Sequence, residues 1–233
     1  MSDPLAGHVA VVVGASSGIG QATATLLVSR GMRVHALARR SPDVSGATAQ
    51  AVDVTDRAAV DAAFAAFERI DALVYCAGTN LPKRRLAELT PAAWDELLAA
   101  NLTGAFNVVH AALAKLRAAR GDIVIVSSVS ARWPDASGPA YQAAKGGLSS
   151  FAHAVGLEER EQGIRVCAIE PGMVNTPIMD KRPQPPDAAT RAQMLQPADV
   201  AESIAFVRSL PKRASIPELV ILPAALQSLG KTS

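Results

Sequence analysis

Apolar and polar positions follow two regular patterns along the chain. Short β-branched or apolar runs of five or six residues predict seven strands, at 8–13, 33–38, 47–52, 72–76, 122–127, 165–169 and 218–222. Longer alanine-rich segments between them predict helices, at 19–29, 56–69, 91–119, 139–162 and 197–210. Strands that are apolar on both faces and separated by helices form parallel sheets covered on both sides. The pattern therefore predicts an α/β fold, a doubly wound seven-stranded parallel sheet with helices on both faces.

One segment, 173–196, departs from this pattern. It holds four prolines between a strand and a helix, Pro177, Pro183, Pro185 and Pro186. A loop of that length in a compact domain is usually either disordered or a functional lid. Its place after the sixth strand favours a lid on the substrate side. Because no linker or internal repeat is visible, residues 1–233 are predicted to form a single domain.

Composition narrows the class of protein. Of 233 residues, 49% are hydrophobic and 19% are charged, which supports a substantial core and argues against disorder. The net charge of +2 is scattered and aromatic residues make up only 4%, so no nucleic-acid partner is expected. Cys76 and Cys167 lie in apolar runs, and neither a secretory signal nor an apolar run of about 18 residues is visible. We therefore expect a cytoplasmic protein without a membrane span, and no metal site, because no ligand set has metal-binding spacing.

A glycine-rich segment follows the first predicted strand, Gly14-Ala15-Ser16-Ser17-Gly18-Ile19-Gly20. Glycine lets the backbone turn sharply and approach a ligand closely. The helix that follows offers unpaired N–H groups and the positive end of its dipole to a pyrophosphate. Between a strand and a helix, the segment predicts a dinucleotide site of the Rossmann type. A tight turn without a ligand is the alternative.

The end of the second predicted strand bears on the choice of dinucleotide. Arg39 and Arg40 stand there, with no carboxylate to accept the 2′-hydroxyl of NAD. A guanidinium instead binds a 2′-phosphate, which favours NADP(H) over NAD unless the two arginines form only a solvated turn. Asp53, after the third strand, is placed either to reach the adenine amino group or to form a turn. Val54, the next residue, is also expected to contact the cofactor.

Four polar side chains form the candidate chemistry. Tyr141 and Lys145 are four positions apart in a predicted helix, so they share one face. Free tyrosine has a pKa of about 10, and a neighbouring ammonium with the positive nicotinamide would lower it. The Ser128 hydroxyl can bond a substrate oxygen, and the Asn101 amide can bond the backbone or hold a water. A turn serine and a helix cap are the alternatives, but all four residues follow the carboxyl ends of parallel strands, where such sheets bind ligands.

Together these pieces resemble the classical short-chain dehydrogenase/reductase family. The matching stretches are Gly14 to Gly20, Cys76-Ala77-Gly78, Asn101, Ser128, Tyr141-Gln142-Ala143-Ala144-Lys145 and Pro171-Gly172-Met173-Val174-Asn175-Thr176. They occur in the family's order, with thirteen positions from Ser128 to Tyr141, and the resemblance reaches to about residue 223.

The resemblance implies a role for each residue. Tyr141 would be the general acid in reduction and the general base in oxidation, and Lys145 would depress its pKa and bind the nicotinamide ribose. Ser128 would orient the substrate oxygen, and Asn101 would support a proton relay through water. Further cofactor contacts are implied for Ala77, Gly78, Pro171, Gly172, Val174 and Thr176.

The resemblance also implies an assembly and shows departures. Segments 101–119 and 141–162 would pack across subunits of a homotetramer or homodimer. Tyr75-Cys76 stands where the family often has two asparagines, and Ser17 stands where many NADP-dependent members carry a basic residue. The role of Glu170, just before Pro171, stays open.

The leading hypothesis is an NADP(H)-dependent oxidoreductase that interconverts a carbonyl and an alcohol of a small-molecule substrate. The alternatives are a catalytically inactive nucleotide-binding regulatory or scaffold protein of the same fold, and a methyltransferase with an adenosyl ligand. Trp133, Pro134 and the segment 173–179 are expected to border the substrate, with the alternative that Trp133 packs under the lid and touches no substrate. The basic run Lys83-Arg84-Arg85 is expected to be a solvated loop rather than a contact for an anionic carrier or substrate.

Overall fold

Seven parallel strands form one sheet in the order β3-β2-β1-β4-β5-β6-β7, which confirms the predicted fold class. The computed structural model describes residues 3–228 and 231–232. The strands are β1 (Val9–Val13), β2 (Arg33–Ala38), β3 (Thr48–Ala51), β4 (Ala72–Tyr75), β5 (Asp122–Val126), β6 (Arg165–Pro171) and β7 (Glu218–Ile221). A separate antiparallel pair is formed by β8 (Gln227–Ser228) and β9 (Lys231–Thr232). The strand order reverses between β1 and β4, and doubly wound sheets bind ligands beside that point.

Helices cover both faces of the sheet. They are α1 (Gly18–Ser29), α2 (Arg57–Ala65), α3 (Pro91–Leu98), α4 (Gly104–Ala119), α5 (Pro139–Glu158), α6 (Ala188–Gln193) and α7 (Pro197–Ser209). Helices α1 and α7 pack together on one face, and α2 packs on α4 on the other. Alternate residues of β1 enter the two cores, Val11 and Val13 on one side and Ala10 and Val12 on the other. This is why the strand is apolar at every position.

Two helices differ from their predicted extent. Helix α2 ends at Ala65 rather than at residue 69, because Phe67 and Ile70 turn into the core before β4 begins. The predicted helix 91–119 is interrupted by a π-helical turn at Ala99–Thr103. Periodicity of apolar residues does not register a single wide turn, since the helix continues on both sides of it.

The stretch 91–119 is also long and apolar enough to cross a membrane, with a mean hydropathy of 1.4 over its best window. In this fold its α4 part packs against the core through Val108, Ala112 and Leu116, which are all buried. Core packing accounts for its apolar composition.

The segment 173–196 is more ordered than a plain loop. It contains a 3₁₀ turn at Pro177–Lys181 and the short helix α6. A β-bridge between Val174 and Leu195 closes its base. Because both bridge residues are buried, the segment is anchored at its ends and projects in between. Its role as a lid stays a prediction.

Candidate functional site

The glycine-rich segment forms the turn from β1 into α1. Gly14 and Gly18 have φ of +88° and +56°, a region that favours glycine. A Cβ on Gly14 would lie 2.6 Å from the Ala77 nitrogen, and one on Gly20 would overlap the carbonyl oxygen of Gly14. These glycines therefore let the loop pack against β4, while the side chain of Ser17, the residue before α1, makes no capping hydrogen bond. The first N–H groups of α1 are thus left without an intrahelical or side-chain cap.

A cleft of about 340 Å³ opens at the carboxyl ends of the strands. Of the sequence-predicted site residues, it is lined by Ser16, Ser17, Gly18, Ile19, Arg39, Arg40, Gly78, Asn101, Ser128, Tyr141, Lys145, Pro171, Gly172, Val174 and Thr176. The structure does not bring Gly14, Gly20, Asp53, Val54 or Ala77 to its wall. Sequence reasoning missed Thr79 and Lys181 as lining residues. No local motif marks these two, although Lys181 Nζ hydrogen bonds to Thr79 Oγ1 at 2.6 Å across the cleft mouth.

Tyr141 and Ser128 lie together in this cleft. Burial raises the pKa of Tyr141 to about 12, although a hydrogen bond with Ser128 and the charges of Arg182 and Arg84 lower it. Ser128 is itself held, because its Oγ accepts from Ser130 N and lies 3.1 Å from Ser130 Oγ. In the protein alone burial outweighs the favourable contacts, so the pKa of the phenol lies above its usual value rather than below it.

Lys145 is buried beside Tyr141. Its Nζ donates a 3.0 Å hydrogen bond to the carbonyl oxygen of Val126 and lies 5.8 Å from the centre of the Tyr141 ring. Burial lowers the pKa of Lys145 to about 8. A Cβ on Gly78 would lie 3.5 Å from this amine, an ordinary contact, but only 2.7 Å from Asn101 Oδ1, so the glycine permits the close approach of the amide. The amine is thus poised to change its protonation state near physiological pH.

The Asn101 side chain bonds the backbone. Its Oδ1 accepts from Thr79 N at 3.1 Å, and its Nδ2 donates to the carbonyl oxygens of Thr79 and Leu97 at 3.1 and 2.9 Å. The sequence left open whether the amide bonds the backbone or holds a water, and in the structure it bonds the backbone. The fully buried side chain fastens the loop after β4 to the end of α3.

The far end of the cleft is basic. Arg39 and Arg40 are exposed, and neither guanidinium has a hydrogen bond or ion pair to another described residue. Asp53 forms a turn, in which its Oδ1 accepts from Thr55 N and Oγ1 at 2.9 and 2.8 Å. These bonds, with the nearby charge of Arg39, lower the pKa of Asp53. Val54 packs against α4, where a Cβ on Gly104 would lie 2.6 Å from its Cγ2.

Tyr75 and Glu170 have structural roles. The Tyr75 side chain is fully buried, and its hydroxyl donates to the carbonyl oxygen of Ala100 at 3.0 Å, inside the π-helical turn. Glu170 is fully buried and accepts hydrogen bonds from Ser149 Oγ at 2.7 Å and Arg132 Nε at 2.6 Å. Neither side chain lines the cleft, so both support the framework of the site rather than the ligand.

Two expectations about the substrate side need revision. Trp133 and Pro134 do not line the cleft, whereas Val174, Thr176 and Met179 of the segment 173–179 do. The basic run is not uniformly solvated, because Arg84 is only 6% exposed while Lys83 and Arg85 are exposed. The chain folds Arg84 under the segment 177–182, a contact across about a hundred positions that no local pattern reveals.

Comparisons with known proteins agree with this geometry. A family model described as short chain dehydrogenase matches residues 8–187. The chain is 38% identical over 229 residues to cis-4-hydroxycyclohexanecarboxylate dehydrogenase of Sinomonas cyclohexanicum, covering 90% of this chain and 92% of the relative.

Solved structures show the same fold. 3-Ketoacyl-(acyl-carrier-protein) reductase from Brucella melitensis, complexed with NADH, matches with a TM-score of 0.85 and 25% identity over 94% of this chain and 98% of that one. The closed form of serine dehydrogenase, complexed with NADP+, matches with a TM-score of 0.85 and 25% identity over 97% and 98%. With the family model spanning most of the chain and a 38% identical relative over nine tenths of it, this protein belongs to the short-chain dehydrogenase family of oxidoreductases.

Proposed function

We propose that the protein is an NADP(H)-dependent oxidoreductase that interconverts a secondary alcohol and a carbonyl, with Tyr141 as general acid and base. The observation that carries this proposal is that Ser128, Tyr141 and Lys145 line the same cleft as the turn into α1. Hydride chemistry needs a proton donor beside a bound dinucleotide, and this cleft offers both sites side by side.

The residues present fit a dinucleotide. The uncapped start of α1 suits a pyrophosphate, because its N–H groups and dipole favour negative charge. Arg39 and Arg40 suit a 2′-phosphate, since both guanidiniums face the cleft without a partner among the described residues. Pro171, Gly172, Val174 and Thr176 line the opposite end of the cleft, where we place the carboxamide contacts. Gly14, Gly20 and Ala77 would act on the cofactor through the shape of the backbone.

Side chains of the protein transfer the proton. When bound, the nicotinamide ring takes up or supplies the hydride. Ser128 orients the substrate oxygen against the Tyr141 hydroxyl, and Tyr141 accepts the alcohol proton in oxidation and returns it in reduction. A phenol with a pKa of about 12 stays protonated at neutral pH, so the positive charge of Lys145 and of the oxidised ring is needed to stabilise the phenolate that acts as the base. Asn101 fixes the loop that carries Gly78 beside the Lys145 amine.

We infer a small cyclic or short-chain secondary alcohol as substrate and a homotetramer or homodimer as the assembly. The 38% identical relative is named for a hydroxycyclohexanecarboxylate, which supports the substrate class. Phe106 of α4 and Leu157 of α5 are 39% and 70% exposed, and apolar exposure on these two helices supports packing between copies. Two free thiols, Cys76 and Cys167, are consistent with a cytoplasmic location. Light scattering after size-exclusion chromatography measures the assembly.

A cofactor-coupled assay tests the function. Secondary alcohols and their ketones are screened by absorbance of the reduced nicotinamide, with NADP(H) and NAD(H) side by side. We expect turnover that is faster with NADP(H). Absence of turnover across the panel with both dinucleotides contradicts the enzymatic function and favours an inactive nucleotide-binding protein.

A further inference from the structure

A second groove, of about 1030 Å³, lies beside the cleft. It is walled by the loop after β4, the start of α5 and the end of the 3₁₀ turn, through Arg84, Arg182, Gln142 and Gln184 among others. Tyr141, which immediately precedes Gln142 in the chain, lines the cleft. The groove and the cleft thus share the first turn of α5 as a common wall. Four basic and two acidic side chains line the groove, so its charge is net positive.

Arg84 is the unusual member of this groove. It is 6% exposed, and only its Nη2 donates to a described protein atom, the carbonyl oxygen of Lys181 at 2.7 Å. Its Nε is buried without a partner. The Asp135 carboxylate attracts this guanidinium from a distance but forms no ion pair with it, because it accepts hydrogen bonds from Ser130 Oγ at 2.6 Å and Ser137 N at 2.8 Å. A buried guanidinium without an ion pair is costly, and such groups are normally paired.

Arg182 supplies a second cation beside the first. It is half-buried, it lines the same groove, and its guanidinium has no hydrogen bond or ion pair to another described residue. The charges of Arg182 and Arg84 each oppose the other, since Arg182 lowers the pKa of Arg84. Both charges also lower the pKa of Tyr141, so both lie within electrostatic range of the reacting hydroxyl. Two like charges held together beside a reaction centre suit one shared anion.

We propose that Arg84 and Arg182 bind a carboxylate of the substrate, so that the enzyme acts on hydroxy acids and the corresponding keto acids. The proposal rests on the proposed function and names its substrate class. A planar carboxylate matches the guanidinium fork, whereas an uncharged substrate leaves both cations unpaired. Because Arg84 and Arg182 lie on different loops, a carboxylate between them also holds the segment 177–182 against the loop after β4. The alcohol carbon then lies at Ser128 and Tyr141.

Matched pairs of substrates test this inference. The probes are 4-hydroxycyclohexanecarboxylate and 3-hydroxybutanoate, each compared with its methyl ester. A hydrogen-bonded charge pair of typical strength predicts that kcat/KM for the acid exceeds that for the ester by about 10- to 100-fold. Arg182→Gln is expected to bring the ratio close to one, and Arg84→Lys, which keeps the charge but loses the fork, to an intermediate value. Arg213→Gln is the matched control, an exposed arginine in the loop before β7 at the amino ends of the strands, and keeps the wild-type ratio.

The outcomes separate this inference from the proposed function. Equal turnover of acids and esters, or a ratio unchanged in both arginine variants, overturns carboxylate recognition and leaves the oxidoreductase function intact. Faster turnover of an uncharged acetoacetyl thioester than of either acid's keto form overturns it as well, in favour of an acyl chain. If no probe turns over, calorimetric titration in the presence of NADP+ compares cyclohexanecarboxylate with cyclohexanecarboxamide. Preferential binding of the carboxylate that is lost in Arg182→Gln supports the inference, and equal or absent binding overturns it.

Discussion

Ser149 donates a 2.7 Å hydrogen bond to the fully buried carboxylate of Glu170. The same hydroxyl lies 2.9 Å from Ser127 Oγ, which donates to the carbonyl oxygen of Lys145 at 3.0 Å. A buried charge at the end of β6 is thereby linked to the backbone of the helix that carries Tyr141 and Lys145. On its other side Glu170 pairs with Arg132, which also pairs with Glu218. This network fixes α5 against the sheet behind the cleft.

Removing one partner of this network tests its structural role. Arg132→Met leaves the Glu170 charge buried and unpaired, and we expect a loss of about 2 kcal/mol in the free energy of unfolding, below the range for fully buried pairs because Arg132 is partly exposed. The double variant Arg132→Met, Glu170→Gln removes both charges and regains part of that loss. Denaturant midpoints measure both. An unchanged midpoint in Arg132→Met means that Glu170 does not depend on the pair.

Tyr141→Phe removes the proposed acid and base but keeps the ring. We expect kcat to fall by about 100- to 10,000-fold, as for other general acid–base groups, with NADPH affinity changed by less than about twofold. Steady-state kinetics and fluorescence titration of NADPH measure the two effects. Tyr75→Phe is the control, because it removes the hydroxyl of the chain's other tyrosine, which lies outside the cleft. It loses about 1 kcal/mol of stability and retains turnover. Full turnover in Tyr141→Phe eliminates the proposed role.

The burial of Lys145 lowers the free energy of unfolding at neutral pH. Burial lowers its pKa from 10.5 to about 8, so at pH 7 folding buries a charged amine against its preference. Lys145→Met should therefore abolish turnover yet raise the free energy of unfolding at pH 7, by about 2–3 kcal/mol. A destabilised Lys145→Met protein contradicts the burial argument.

The pH dependence follows from the direction of the same shift. Between about pH 8 and 10.5 the unfolded chain keeps the Lys145 proton while the folded protein has lost it. Stability from this group therefore rises with pH over that range. The advantage of Lys145→Met over the wild type is expected to shrink across the same range, as measured by denaturant titration at pH 7 and pH 10. A difference that does not change with pH places the Lys145 pKa elsewhere.

Local sequence signals carried most of the fold and the centre of the site. The seven strands follow from β-branched runs buried on both faces, and the turn into α1 follows from glycine spacing, because both depend on neighbours in the chain. Tyr141 and Lys145 are equally local, being one helical turn apart. Their pKa values were not accessible, since the burial that raises one and lowers the other depends on packing between distant segments.

The features that sequence reasoning missed depend on long-range contacts. The π-helical turn is stabilised by Tyr75, 25 positions before Ala100, whose hydroxyl donates to the Ala100 carbonyl oxygen. The sequence predicts that Arg84 belongs to a solvated basic run, but in the structure the backbone of Lys181, 97 positions away, covers it. The sequence assigns no role to Glu170, and only the structure shows that Ser149 and Arg132 hydrogen bond to its carboxylate. In each case the burial of a polar side chain is set by an element that the local pattern does not contain.

Arg39→Asp tests the choice of dinucleotide. A carboxylate repels a 2′-phosphate and accepts the 2′-hydroxyl of NAD, so the ratio of kcat/KM for NADPH over NADH is expected to fall by about 10- to 100-fold. Arg33→Asp is the matched control, an exposed arginine at the other end of β2, and keeps the wild-type ratio. An unchanged ratio in both Arg39→Asp and Arg40→Asp removes the 2′-phosphate argument.

The tip of the segment 173–196 tests its role as a lid. Residues 183–185 are exposed, and the base of the segment is fixed by the Val174–Leu195 bridge, so changing all three to glycine should leave the fold intact. Added backbone freedom of about 1–2 kcal/mol must then be lost when the tip closes, which raises the substrate KM by roughly 5- to 30-fold and leaves NADPH affinity nearly unchanged. Pro211→Gly, in an exposed loop at the amino ends of the strands, is the control. A larger effect on NADPH affinity than on the substrate KM would assign this segment to the cofactor.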